Sequence, residues 1–170
     1  TTAYSSFEIF SQSLLDGVEL INNLVGLAYF DRIGLRYLDA IIPDQSNSYD
    51  DLMHPGQLAL HGKIQGEIRH GFTETVSGIE GGTLVARSLV TKQGVVLPPD
   101  LHPLQLELPS RFKLDQGSEA AVLDIDSFKQ ERVRFNLEGL RSQLDNSHRI
   151  AKETFELATT EKARRQVWKL

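Results

Sequence analysis

Near its C-terminal end the chain carries one long apolar stripe at helical spacing. Leu137, Leu140, Leu144, His148, Ala151, Phe155 and Ala158 follow one another at steps of 3, 4, 4, 3, 4 and 3 residues, the pattern of a single helix face. At ~3.6 residues per turn the stripe spans about six turns. A face of that length has to be buried against a broad apolar surface, and the preceding residues must supply it. In the last two turns Phe155 alternates with Ala151 and Ala158 and is expected to lie deepest.

The preceding residues change period. Ser5-Ser6-Phe7-Glu8 reads as a capping box, with Ser5 and Glu8 satisfying otherwise unpaired N–H groups. Phe7, Phe10, Leu14, Val18, Ile21 and Val25 then recur at three and four, predicting a first helix that Gly26 stops. From Arg32 to Tyr37 the period drops to two: Ile33, Leu35 and Tyr37 alternate with Arg32, Gly34 and Arg36, which predicts a half-buried strand. Pro43 ends it, and a polar loop follows from Asp44 to Asp51.

Leu60, Ile64, Ile68 and Phe72 sit four apart, but Gly62, Gly66 and Gly71 count against a stable helix. A short helix or turn near 52–60 is expected, then irregular structure leading into a strand. Phe72–Ile79 and Thr83–Thr91 flank Glu80-Gly81-Gly82, a hairpin signal. Further strands are expected at Leu104–Leu108 and Ala120–Asp126, separated from the hairpin by Pro98-Pro99, which cannot join a ladder. After Thr159-Thr160, a short basic helix from Glu161 to Trp168 reads as a docking tail. The order helix, hairpin-linked strands, helix predicts an α+β fold: one domain over 1–170, an antiparallel sheet with both helices packed on one face.

Composition narrows the function classes. The chain is 40% hydrophobic and 24% charged, as an ordinary folded domain is. It has no cysteine, hence no disulfide framework, thiolate metal site or cysteine nucleophile, in keeping with a cytoplasmic location. No apolar run approaches the ~18 residues of a membrane span. A net charge of -5 argues against nucleic-acid binding. Residues 1–130 hold nine Lys/Arg against seventeen Asp/Glu, and residues 131–170 hold nine against six. The basic C-terminal segment is expected to meet the acidic remainder of its own chain rather than a partner, because Glu residues interrupt it. The chain opens Thr1-Thr2-Ala3 without Met, a basic segment or an apolar segment, so a fragment or processed chain is expected rather than an intact secretory precursor.

Arg32-Ile-Gly-Leu-Arg-Tyr-Leu-Asp39, following a helix opened by Tyr4-Ser-Ser-Phe7, resembles a sporadically distributed bacterial family of uncharacterised proteins. Leu123 to Asp126 matches its Leu-Asp-Ile-Asp segment, and His148, Phe155 and Thr160 match the order of residues in its last helix. Asp39 stands where that family commonly carries Asn. The resemblance implies a bacterial intracellular protein and no particular activity. Family members are longer at the N-terminus, with extra strands and a helix, so an unpaired sheet edge and a homodimer are expected here.

Arg32 and Arg36 are the only cations among residues 1–60, which hold eight acids. They share one strand face, about 13 Å apart at ~3.3 Å per residue. Two guanidinium groups there could clamp a carboxylate or phosphate, or each could pair with an acid on a neighbouring strand. With Tyr37 and His148 they form the expected ligand-binding set. The leading expectation is a non-enzymatic domain that binds an anionic small molecule or protein group. The alternative is a metal-dependent hydrolase or nuclease using Asp124, Asp126 and His148, since Asp124 and Asp126 share a strand face and could hold Mg²⁺. A third is a purely structural or oligomerisation module. His148 could act as a base, or be a core histidine, neutral and hydrogen-bonded. No His pair has zinc-helix spacing, and no G-x-S-x-G or phosphate loop occurs. No cofactor is expected.

Overall fold

A computed structural model of the chain describes residues 4–101, 110–114 and 117–170. Helix α1 runs Phe7–Val25. Its N-cap is Ser6, whose side chain accepts from the Ile9 N–H, one residue later than the capping box suggests. Gly26 ends it in the left-handed region at φ 68, its N–H bonded to the Asn22 carbonyl at 2.8 Å. Phe7, Ser11 and Leu15 are the buried residues, with Phe10 and Val18 beside them. Leu14, Ile21 and Val25 are exposed instead, which corrects the stripe read from the sequence. Leu20 and Leu24 widen the exposed apolar arc of the second half of α1, opposite Asp16, Glu19, Asn22 and Asn23. Spacing alone therefore does not choose the buried arc; contact with the C-terminal helix does.

Among the described residues two sheets form, both antiparallel. Strands β1 (Tyr29–Phe30) and β6 (Val133–Arg134) make a short ribbon that holds the exit of α1 beside the start of the last helix. Strands β2 (Ile33–Ile41), β3 (His70–Ile79), β4 (Gly82–Thr91) and β5 (Ala120–Lys129) form the main sheet in the order β2-β5-β4-β3. The hairpin lies where the glycines place it. A Cβ on Gly82 would meet the Phe128 carbonyl oxygen at 2.1 Å, so only glycine fits that approach. The strand expected at Leu104–Leu108 lies outside the described residues. The loop from Asp44 ends in a helical turn, α2 (Tyr49–Leu52), because Ser48 and Asp51 build a capping box that the loop reading overlooks.

Helix α3 runs Leu137–Ala158 and is capped by Asn136, which accepts from the Glu138 and Gly139 N–H groups. It lies on one face of the sheet. From β2 that face presents Leu35, Tyr37, Asp39 and Ile41; from β5, Ala121, Leu123 and Ile125. Leu35 is 6% exposed and Leu144 1%, and both join Phe7, Leu15 and Leu140 in one apolar cluster. A second cluster joins Leu123, Ile125, Ala151 and Ala158 to Met53 and Leu58. The α2 segment is tied to the end of α3: the His54 N–H donates to Ala158 at 3.0 Å and the Thr160 N–H to Leu52 at 3.1 Å.

Phe155 is not the deepest residue of α3. It is only partly buried, packed against Trp168 at 5.8 Å between ring centroids. Ser147 and Ile150 are buried in addition to the predicted stripe. The reason is a cavity that opens beside Phe155. Past α3 a π-helical turn, Ala163–Val167, brings the chain end back onto the core. Lys162 pairs with Asp51 at 2.8 Å, one instance of the basic end meeting the acidic remainder. Arg149 and Arg165 pair instead with glutamates of their own turns.

Candidate functional site

The two sheet faces carry different chemistry. On the face away from α3, Arg36 holds Asp124 through two hydrogen bonds, Nε to Oδ1 at 2.6 Å and Nη2 to Oδ2 at 2.7 Å. It also reaches Asp100 at 2.5 Å. Arg87 of β4 bridges Asp124 at 3.4 Å and Glu74 of β3 at 2.6 Å. Arg32 donates to Asp126 at 2.9 Å and lies 4.4 Å over the Phe128 ring. Gly34 permits that stacking, because a Cβ there would meet the Phe128 Cβ at 2.7 Å and the Arg32 guanidinium at 3.3 Å. The result is a ladder of alternating charges across all four strands. Asp124, 2% exposed, faces three donors from two arginines, the arrangement a buried carboxylate needs. The Arg36 guanidinium is driven further toward its charged form by Asp124 and, beyond it, Asp100.

On the α3 face a cavity of about 660 Å³ lies between β2, β5, α3 and the C-terminal turn. Ile125, Ala151 and Phe155 give it apolar walls, and Tyr37, Asp39 and His148 give it polar ones. The Tyr37 hydroxyl and His148 Nδ1 are 2.8 Å apart, and the Tyr4 hydroxyl is 3.3 Å from that of Tyr37. The His148 ring stacks on Phe7, with centroids 4.0 Å apart and planes 4° from parallel. Burial holds the His148 pKa below its ordinary value, against the pull of the Glu8 charge. A neutral imidazole can accept the Tyr37 proton, leaving the Tyr37 oxygen free to accept from Tyr4. Burial, together with the Tyr4 hydroxyl and the Asp39 and Glu8 charges, pushes the Tyr37 pKa up, so Tyr37 stays a donor. Asp39 lies on the same face, two residues along β2, and burial pushes its carboxyl up to about 6.

The structure therefore brings Tyr37 and His148 together and places Arg32 and Arg36 on the opposite face. Asp124 and Asp126 alternate with Ile125, so the sheet separates them from His148. Among the described residues no group of three or more His, Asp or Glu side chains is placed to hold a metal ion. Asp39 was missed as a site residue. The signal was present: it falls in phase with Leu35, Tyr37 and Ile41 on the apolar register of the strand, where an acid needs a reason.

Comparison with protein-family models, with curated proteins and with solved structures yields no match in any of the three. Among the described residues no helix is long and apolar enough to cross a membrane.

Proposed function

We propose that the chain is a non-enzymatic binding domain of the bacterial cytoplasm whose small ligand occupies the cavity between β2 and α3. The observation that carries this is an open cavity, half-walled by apolar side chains, into which Tyr37, Asp39 and His148 project from a strand and a helix. Lys152, Glu156, Glu161, Arg164 and Arg165 also line it, and polar groups on rigid elements above an apolar floor are the usual makeup of a small-molecule site. The bacterial and cytoplasmic assignments rest on the sequence resemblance and the cysteine-free composition.

The ligand site thus moves from Arg32 and Arg36 to Tyr37 and His148. An anion arriving at Arg36 would have to displace Asp124 from a two-bond clamp, and at Arg32 it would compete with Asp126. A cavity wall needs no such exchange. Self-association belongs to the same proposal. Among the described residues strand β3 is an edge strand whose Phe72 and Val76 are 54% and 62% exposed, and such an edge recruits a second strand.

A thermal-shift screen of small molecules tests the site. Compounds that stabilise the wild type should lose most of their effect in Phe155→Trp, which adds bulk at the half-buried wall, and keep it in Arg32→Gln. Hits that survive Phe155→Trp and vanish in Arg32→Gln would place the ligand on the charged face and end this reading.

A further inference from the structure

Asp39, half-buried, and Asp124, fully buried, are carboxylates on adjacent strands, and their surroundings differ completely. Asp124 is met by Arg36 and Arg87. Among the described residues no hydrogen bond or ion pair reaches Asp39, and burial is the one influence that displaces its titration. A carboxylate set in an apolar wall without a donor costs stability unless something supplies one. The cations nearest the cavity do not. Arg164 donates to the carbonyls of Glu156 and Thr159, closing the end of α3, Arg165 pairs with Glu161 at 3.1 Å, and Lys152, an exposed residue of α3 that also lines the cavity, makes no hydrogen bond or ion pair to Asp39 among the described residues.

We propose that the cavity selects a small ammonium-bearing ligand with an apolar or aromatic body, and that Asp39 is the acceptor for its N–H groups. This rests on the reading of the cavity as the binding site and adds the ligand's chemistry to it. The ammonium supplies both the charge and the donors that Asp39 lacks, and a charge-assisted bond of this kind is stronger than a neutral one. Tyr4 and Tyr37 meet edge to face at 5.7 Å, and aromatic rings at a cavity wall favour a cation over an anion. Ile125, Ala151 and Phe155 take the ligand body. An anionic ligand would bring its charge against the Asp39 carboxylate, and the lining offers it no excess of cations, Lys152, Arg164 and Arg165 being matched by Asp39, Glu156 and Glu161. A divalent metal would find one carboxylate where it needs several oxygen ligands.

Three probes of equal shape and different charge test this by calorimetric titration near neutral pH: phenethylamine, phenylethanol and phenylacetate. Phenethylamine should bind the wild type about tenfold or more tightly than either of the others, the value of one hydrogen bond to a charged group. Asp39→Asn should abolish that preference while Tyr37→Phe weakens all binding without erasing it. Equal or tighter binding of phenylethanol or phenylacetate, itself lost in Phe155→Trp, would overturn amine selection and leave the cavity as the site. Should none of the three bind while library hits still depend on Phe155, the inference on Asp39 falls alone. Should neither occur, both readings fall.

Discussion

Asp39 faces Leu123 across the β2–β5 pair, and Asp124 faces Leu38 one row away. One row of register separates a carboxylate held by arginines from one that, among the described residues, no donor reaches. Their removal should have opposite consequences. The folded pKa of Asp39, about 6, lies above its ordinary value of 3.8. The folded state thus binds the proton more tightly, and stability falls as pH rises from about 4 to about 6. Asp39→Asn removes that loss. It should be more stable than the wild type by about 1–3 kcal/mol at neutral pH and about equal to it below pH ~4, as read by urea denaturation across that range. Asp124 is the reverse case. Arg36→Ala leaves it buried with two of its three donors gone and should cost about 3–5 kcal/mol, while Arg36→Met with Asp124→Leu should recover most of it. His148 works in the opposite pH sense to Asp39. Its folded pKa is lowered, so its contribution is full above the unfolded value of ~6.5 and is lost as pH falls below it. Denaturation at pH ~5 and ~8 should show that loss in the wild type and not in His148→Gln; greater stability at the acid end, lost in the variant, would make His148 a paired cation.

Elements with a clean period were legible, and those whose partner chooses the face were not. The alternation of Ile33, Leu35 and Tyr37 located β2, and Gly81-Gly82 located the hairpin, because a pleat and a turn leave local signatures. The stripe of α3 was legible along its length, Leu140, Leu144, Ala151 and Ala158 all being buried, but the order of depth was not. In its last turns the sequence ranked Phe155 above Ala151, since size is visible and a cavity is not. The face of α1 failed for a related reason: Leu20, Ile21, Leu24 and Val25 form an apolar arc opposite Asp16, Glu19, Asn22 and Asn23, yet the fold leaves that arc exposed, which spacing does not record. The cavity itself arises only where β2, α3 and the C-terminal turn converge, which no local spacing records. Asp39 was readable from strand phase alone. The corrected depths carry a test by chemical denaturation. Leu144→Ala should cost about 3–5 kcal/mol, and Phe155→Ala, half-buried beside open space, clearly less. The reverse order would restore Phe155 as the anchor.

As a whole the molecule divides its labour between the faces of one sheet. The face bearing Arg32, Arg36 and Arg87 satisfies its charges internally and orients the strands, while the face under α3 keeps polar groups open to a cavity. The edge of β3, unpaired among the described residues, is the proposed contact with a second copy. Light scattering at high concentration should then give a mass above the 19.0 kDa of one chain; 19.0 kDa throughout would remove the dimer and leave the cavity untouched. The division between faces is tested most directly by NMR, following side-chain signals during titration with the tightest-binding compound of the screen. The methyl groups of Ile125 and Ala151 and the ring of His148 should shift together while the Arg36 Nε–H signal stays in place. Movement of the Arg36 signal with the Ile125 and Ala151 methyls unchanged would put the ligand on the charged face and contradict the account.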